Sequence, residues 1–260
     1  MKRLFAIPMV IIVLLDVGVF LVLVSQLSWN EILTAFSSSE TLFALRLSTT
    51  TSISAVFLSF LLGVPAAYLL ARESFFGKRI IAALLDLSLI MPPLVTGMGL
   101  LFLFGEELIG GALRNLGLKV VFTPWGAVAA QAFIALPVLI RSCRAAFETV
   151  DPKYEQAGAT LGLSPFQVFF LITLPMAKKG VLSAVILAWA RAMGEFGATL
   201  MVAGATLFKT ATLPISVYLN ISSGEIGLAI SCSWLLLLGG IVMILALNLI
   251  GRTSKEKATA

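Results

Sequence analysis

An all-α integral membrane protein of about six transmembrane helices is the fold class this sequence predicts, and three observations carry the prediction. Of its 260 residues, 59% are hydrophobic and 12% charged, whereas soluble domains run near half apolar and a quarter charged. The apolar residues fall in blocks of about twenty or more, each able to cross about 30 Å of hydrocarbon as a helix. The basic residues sit at the ends of those blocks and not in one patch. That placement is topological and argues against nucleic acid as a partner, despite a net charge of +5.

The blocks run from Phe5 to Val24, Ser48 to Ala71, Ile80 to Phe104, Val120 to Ile140, Val181 to Ala203 and Ile226 to Ile250. The first follows Lys2 and Arg3 as a secretory signal does, but it is longer than a signal core and contains Asp16, so it reads as an uncleaved first helix. The third carries Pro92 and Pro93, which remove backbone donors and predict a kink or break. Gly97, Gly99, Gly194 and Gly197, in spans three and five, permit close helix contact. Irregular backbone at membrane depth lines a cavity or is buried in protein, so these two spans are the candidates for pore lining. Simple glycine packing explains the same residues equally well.

With the N-terminus placed in the cytoplasm, thirteen of the 18 lysines and arginines fall on the cytoplasmic side, four outside, and Arg191 within span five. The bias follows the positive-inside rule and puts both termini in the cytoplasm. It describes one transmembrane domain over residues 1–260, multi-pass in a plasma or bacterial inner membrane. The outer segments are Ser25 to Leu47, Gly105 to Lys119 and Ala205 to Glu225. The longest internal cytoplasmic segment is Arg141 to Gly180.

Several chemistries are excluded. Cys143 and Cys232 lie on separate spans, which suggests neither a disulfide framework nor a thiolate metal site, and the chain has no histidine. No stretch supplies the phosphate cradle Gly-x-x-x-x-Gly-Lys-Ser/Thr; Gly77-Lys78 is followed by Arg79 and lacks the earlier glycine. No cofactor is therefore expected on this chain. An intramembrane enzyme would need a nucleophile with a base, or a metal site, and neither is apparent.

Asp16, Asp86, Arg191 and Glu195 are ionisable residues within or near spans, where each costs on the order of 2.5–3.5 kcal/mol at a helix centre. Arg191 and Glu195 are four apart and can pair on one helix face. The pair either locks span five or leaves Arg191 in an electropositive path for a dianion. Thr96 and Thr199 are possible hydroxyl donors to such a path, although threonine in a span often bonds its own helix. An ion-coupled carrier titrating Asp16, Asp86 or Glu195 is the competing reading of the same residues.

In the cytoplasmic segment, Asp151 can cap a helix that Pro152 opens and Gly162 stops. Ser164-Pro165 repeats the signal for a second short helix through Leu171 that ends near Pro175. Ala157, Gly158 and Ala159 are small, and Tyr154, Leu161, Leu163 and Phe166 are apolar or aromatic. Such a surface either docks a partner or folds against its own bundle.

Gln156-Ala157-Gly158-Ala159-Thr160-Leu161-Gly162, followed by Ile172-Thr173-Leu174-Pro175, resembles the Glu-Ala-Ala loop signature of permeases in binding-protein-dependent ABC importers. Both spacings hold, while Gln156 stands where the family has glutamate, with Glu155 next door, and Gly158 replaces the second alanine. Arg191 to Met201, Met91-Pro92-Pro93 and Thr212-Leu213-Pro214 are similar to the molybdate and tungstate branch, which has relatives for sulfate. The resemblance covers about Leu47 to Ser223. It implies a type I importer permease fold and a pathway for a tetrahedral oxyanion delivered by an external binding protein. It also implies a second permease copy and separate ATPase subunits that hold ATP and Mg. Residues 151–175 would be the coupling segment, with Tyr154, Glu155, Gln156, Ala157, Gly158, Ala159, Leu161, Gly162 and Leu163 toward the ATPase. Pro92, Pro93, Thr96, Arg191, Glu195 and Thr199 would be at the pore or gate.

Overall fold

The computed structural model describes residues 2–25 and 37–256, with side chains at 7–22, 25 and 37–249. Lys2, Arg3, Arg252, Lys255 and Lys257, which enter the charge bias, lie outside the described side chains, as do residues 26–36 of the expected outer segment Ser25 to Leu47. Among the described residues every regular element is helical: α1 (Lys2–Ser25), α2 (Ser39–Arg72), α3 (Lys78–Ile90), α4 (Pro93–Leu103), α5 (Ile109–Asn115), α6 (Pro124–Glu148), α7 (Pro152–Thr160), α8 (Pro165–Met193), α9 (Gly197–Ala203), α10 (Leu213–Ser223) and α11 (Ile226–Glu256). Among the described residues four of these, α2, α6, α8 and α11, are long and apolar enough to span a bilayer, and the bent pair α3–α4 makes a fifth, against the about six expected; the described part of α1, Ile7–Val22, is shorter.

The centre of the molecule is the packing of α2, α6 and α8. Val64, Leu70, Leu139, Phe147, Val181 and Ala188 fill their interface. At Gly63 a side chain would meet Leu139 Cδ2 at 2.8 Å, and at Gly180 it would strike the Ala146 methyl group. Small residues therefore set the helix separation, as expected where bilayer and core are equally apolar. Polar side chains join the helices as well. Trp189 Nε1 donates to Ser52 Oγ at 2.9 Å, Ser59 Oγ to the Ala132 carbonyl at 3.2 Å, and the Leu213 amide to Ser48 Oγ at 2.7 Å. Outward, Phe57, Leu62, Ile90 and Leu245 are more than half exposed, a surface that suits lipid and not water.

Several expected boundaries are corrected. Span two begins at Ser39, capped by Ser38, so Arg46 lies inside α2 and not in the outer segment. Span four extends to Glu148 and takes Arg141 and Arg144 into α6. Span three, by contrast, breaks where its prolines predict: α3 and α4 are bent by 115° at Met91-Pro92, because two consecutive prolines deny the chain helical hydrogen bonds there. Two of the segments expected outside hold helices of their own, α5 and α10.

The expected second short helix ending near Pro175 is the start of α8, which continues to Met193. Its first turn carries a capping box between Ser164 and Gln167. The helix survives Pro175 because residues Phe169–Thr173 form a π-turn whose Leu174 amide reaches back to the Phe169 carbonyl. That one-residue shift relieves the bond Pro175 cannot make. Span five correspondingly breaks at Gly194-Glu195-Phe196 and resumes as α9.

Candidate functional site

Two regions hold the candidate residues, and α8 connects them. At about 1.5 Å per residue its 29 residues span roughly 43 Å.

At the first region, Asp151 Oδ1 accepts from the Lys153 amide at 3.0 Å and caps α7. Tyr154, Gln156, Ala157, Ala159 and Leu161 are exposed, as is Gly162, whose φ of +87° suits the left-handed stop. Leu161 is 84% exposed and Phe166, at the start of α8, 73%. Three expected partner-facing residues turn inward instead. Gly158 is buried, and a side chain there would meet Ile172 Cδ1 at 2.5 Å. Leu163 is half-buried beside it. Glu155 reaches across to α2, where its Oε1 accepts from Arg72 Nε at 2.8 Å and from Thr173 Oγ1 at 2.7 Å. Sequence spacing missed this because a helix of nine residues that turns through 100° per residue must present one side to its own bundle. In the sequence Arg72 is only a basic residue at the end of an apolar block, and Thr173 only a member of the run Ile172-Thr173-Leu174-Pro175, so neither signals this contact.

At the second region, the broken ends of both interrupted spans meet. Gly97 on α4 lies against the α9 backbone, where an added Cβ would be 2.7 Å from Ala198 Cα; Gly197 lies against Pro93 and Leu94. Gly99 and Gly194 make no such cross-helix approach. Two clefts, of about 320 and 180 Å³, share Pro92, Pro93 and Arg191 in their walls, and Glu195 borders the larger. Arg191 Nη1 donates to Glu195 Oε2 at 2.6 Å, and the Ala198 amide donates to Oε1 at 2.9 Å. Glu195 is 1% exposed while Arg191 is 38% exposed. The carboxylate is thus consumed by the fold, and the guanidinium is held at the edge of an opening.

Thr96 and Thr199 do not line these clefts. Their hydroxyls are buried among α4, α6 and α9, as is the amide of Gln131, and none has a hydrogen-bond partner. A second charged cleft, of about 290 Å³, lies between α3 and α6, where Arg141 stands 3.6 Å from Asp86. Asp16 is on α1, where the described side chains are almost all exposed.

Residues 59–255 match the model of a family described as binding-protein-dependent transport system inner membrane component. The molybdenum transport system permease protein ModB of Haemophilus influenzae is 40% identical over 177 residues, 67% of this chain and 77% of the relative. The sulfate transport system permease protein CysW of Synechocystis is 35% identical over 217 residues, 83% of this chain and 79% of the relative. Among solved structures, a bacterial ABC transporter involved in the import of the acidic polysaccharide alginate superimposes with a TM-score of 0.73 at 16% identity, over 96% of this chain and 95% of that one. That likeness establishes the shared type I importer permease fold.

Proposed function

The chain belongs to the family of binding-protein-dependent transport system inner membrane components, and from that premise we propose that it forms the translocation pathway of an ATP-driven importer for molybdate or tungstate. An external binding protein delivers the anion, two copies of this chain enclose the path, and separate ATPase subunits holding ATP and Mg drive it. The exposed face of α7 and the start of α8, on the cytoplasmic side, is the ATPase docking surface. Tyr154, Ala157, Leu161 and Phe166 supply its apolar anchors.

The observation that carries this reading is the single helix α8, which joins that surface to Arg191 at the proline break. A docking surface without such a link has nothing to move. An ion-coupled carrier would need a titratable carboxylate free at membrane depth, but Glu195 is engaged by Arg191 and an amide. Asp86 faces Arg141. Of the Arg191–Glu195 pair it is the guanidinium that is exposed at the opening, which favours an anion. Kinship to permeases named for molybdenum and for sulfate supports a tetrahedral dianion and leaves selection between them chiefly to the binding protein.

The test is reconstitution of the chain with its ATPase and binding protein in vesicles. Molybdate should stimulate ATP hydrolysis and enter the lumen, tungstate should compete with it, and sulfate should compete more weakly. Uptake driven by a proton or sodium gradient without ATP would overturn the reading.

A further inference from the structure

The carboxylate of Glu155 is the meeting point of three chain segments that no local hydrogen bond connects. It is on α7; Arg72 is the last residue of α2; Thr173 closes the π-turn of α8. One oxygen, Oε1, takes both donors, at 2.8 Å from Arg72 Nε and 2.7 Å from Thr173 Oγ1. Arg72 is doubly engaged, since its Nη2 donates to the Val150 carbonyl at 2.7 Å, immediately before the α7 cap. The Tyr68 hydroxyl, one turn back on α2, lies beside Glu155 and Thr173. Side-chain exposure of the ion pair is 11% for Arg72 and 14% for Glu155. Water therefore competes little, and a charge-assisted bond in such a setting is short, directional and strong.

The surroundings explain why this cluster matters. α7 packs substantially only on the first turns of α8 and has no comparable apolar contact with α2. Its attachment to α2 runs mainly through Arg72, by way of Glu155 and Val150, with the Tyr68 hydroxyl beside Glu155. Tyr68 of α2, Phe147 of α6 and Phe169 of the π-turn also pack edge-on or tilted against one another with centroids 4.8 to 5.9 Å apart, so the three central helices are already wedged together at that level. A force applied to α7 reaches α8 through α7's own packing on it and through Glu155, and reaches α2 through Glu155 and Val150.

We propose that Arg72, Glu155 and Thr173 form an internal tether that makes α7 move as one body with α2 and α8, so that Glu155 acts as a positioning residue for transport and not as a contact to the ATPase. This rests on the importer reading, because it says how motion received at α7 reaches Arg191 at the far end of α8. The π-turn gives the tether its geometry: it places Thr173 under α7 in a helix that otherwise runs uninterrupted past Pro175. The tether is neutral as a unit, one guanidinium against one carboxylate, so its formation leaves no unpaired charge at the cytoplasmic end of the bundle.

The experiment compares wild type with Glu155→Ala and Thr173→Val in the complete complex with ATPase and binding protein. The variants should assemble with the ATPase and hydrolyse ATP within about twofold of wild type. Anion imported per ATP should fall at least about fivefold, the lower end of typical coupling between sites. Glu155→Gln, which keeps an acceptor for Thr173, should lie between wild type and Glu155→Ala. An unchanged ratio of transport to hydrolysis in Thr173→Val and Glu155→Ala would overturn the proposal. So would loss of ATPase binding in Glu155→Ala with the bundle intact, since that is the behaviour of an interface contact. A second measurement needs no transport at all. Spin labels at Lys153→Cys and Ser74→Cys, both exposed sites, report the distance from α7 to the end of α2, with buried Cys143 and Cys232 left unlabelled. The distance distribution should broaden in Glu155→Ala and in Thr173→Val, and an unchanged distribution in both would overturn the tether. If wild-type complex shows no ATP-dependent uptake while the distances still broaden, the importer reading has failed and the tether has not.

Discussion

Glu155 and Glu195 are two acidic residues near opposite ends of α8, each paired with an arginine, and they do different things. Glu195 draws both partners from its own stretch of chain, Arg191 four residues back and the Ala198 amide three ahead. Glu155 draws its side-chain partners from 83 residues back and 18 ahead. The local pair stabilises a break within one span and leaves a cation beside a cleft. The long-range cluster joins three segments. Similar ion pairs thus serve a local backbone need in one place and a mechanical linkage in the other.

The comparison breaks first at Arg191. Arg191→Ala strands the Glu195 carboxylate at 1% exposure with only one amide donor, and loss of about 3–5 kcal/mol is expected for a buried charge deprived of its partner. Thermal unfolding in detergent measures this. The double variant Arg191→Ala, Glu195→Ala should recover part of the stability, and it should not recover anion uptake. A stable, fully active Arg191→Ala protein would defeat both the structural and the anion-facing roles.

Next are the close approaches. Gly97→Val sets a side chain against the Ala198 backbone, which cannot rotate away, so α4 and α9 must part at a cost near the upper end of about 1–3 kcal/mol. Gly158→Ala clashes with the terminal Cδ1 of Ile172, a side chain that can rotate, and makes ordinary contact with Leu163 and Val168, so it should cost near the lower end of that range. Gly158→Glu is accordingly a packing variant and no test of docking. Ala157→Glu is the docking test. On an exposed face it should change stability by less than about 0.5 kcal/mol, while pull-down of the ATPase falls severalfold or more. Wild-type pull-down and uptake for Ala157→Glu would show that this face is not the docking surface.

The smallest expected effect has the opposite sign. Thr96→Val and Thr199→Val remove buried hydroxyls that have no hydrogen-bond partner, replacing them with a methyl of similar shape. Stability should hold or rise by up to about 1 kcal/mol, read again by thermal unfolding. A loss of 2 kcal/mol or more would mean those hydroxyls are paired after all.

Whatever depends on neighbours in the chain was readable from residue order. Apolar block length marked four membrane helices and the bent pair α3–α4, consecutive prolines the break at Met91-Pro92, Asp151-Pro152 and Ser164-Pro165 the two helix starts, and four-residue spacing the Arg191–Glu195 pair. Each is a statement about backbone donors or helical periodicity, and both are local properties. Tertiary structure alone decided which face of α7 is outward. It turned Gly158 and Glu155 inward, carried α8 through Pro175 on a π-turn, and buried Thr96 and Thr199 away from the clefts. It also brought Arg72 to Glu155 across 83 residues. The physical reason is that residue order sets the direction of each side chain on its own helix, while the identity of the atom it meets depends on how separate helices pack, a sum of many weak contacts that no single segment contains.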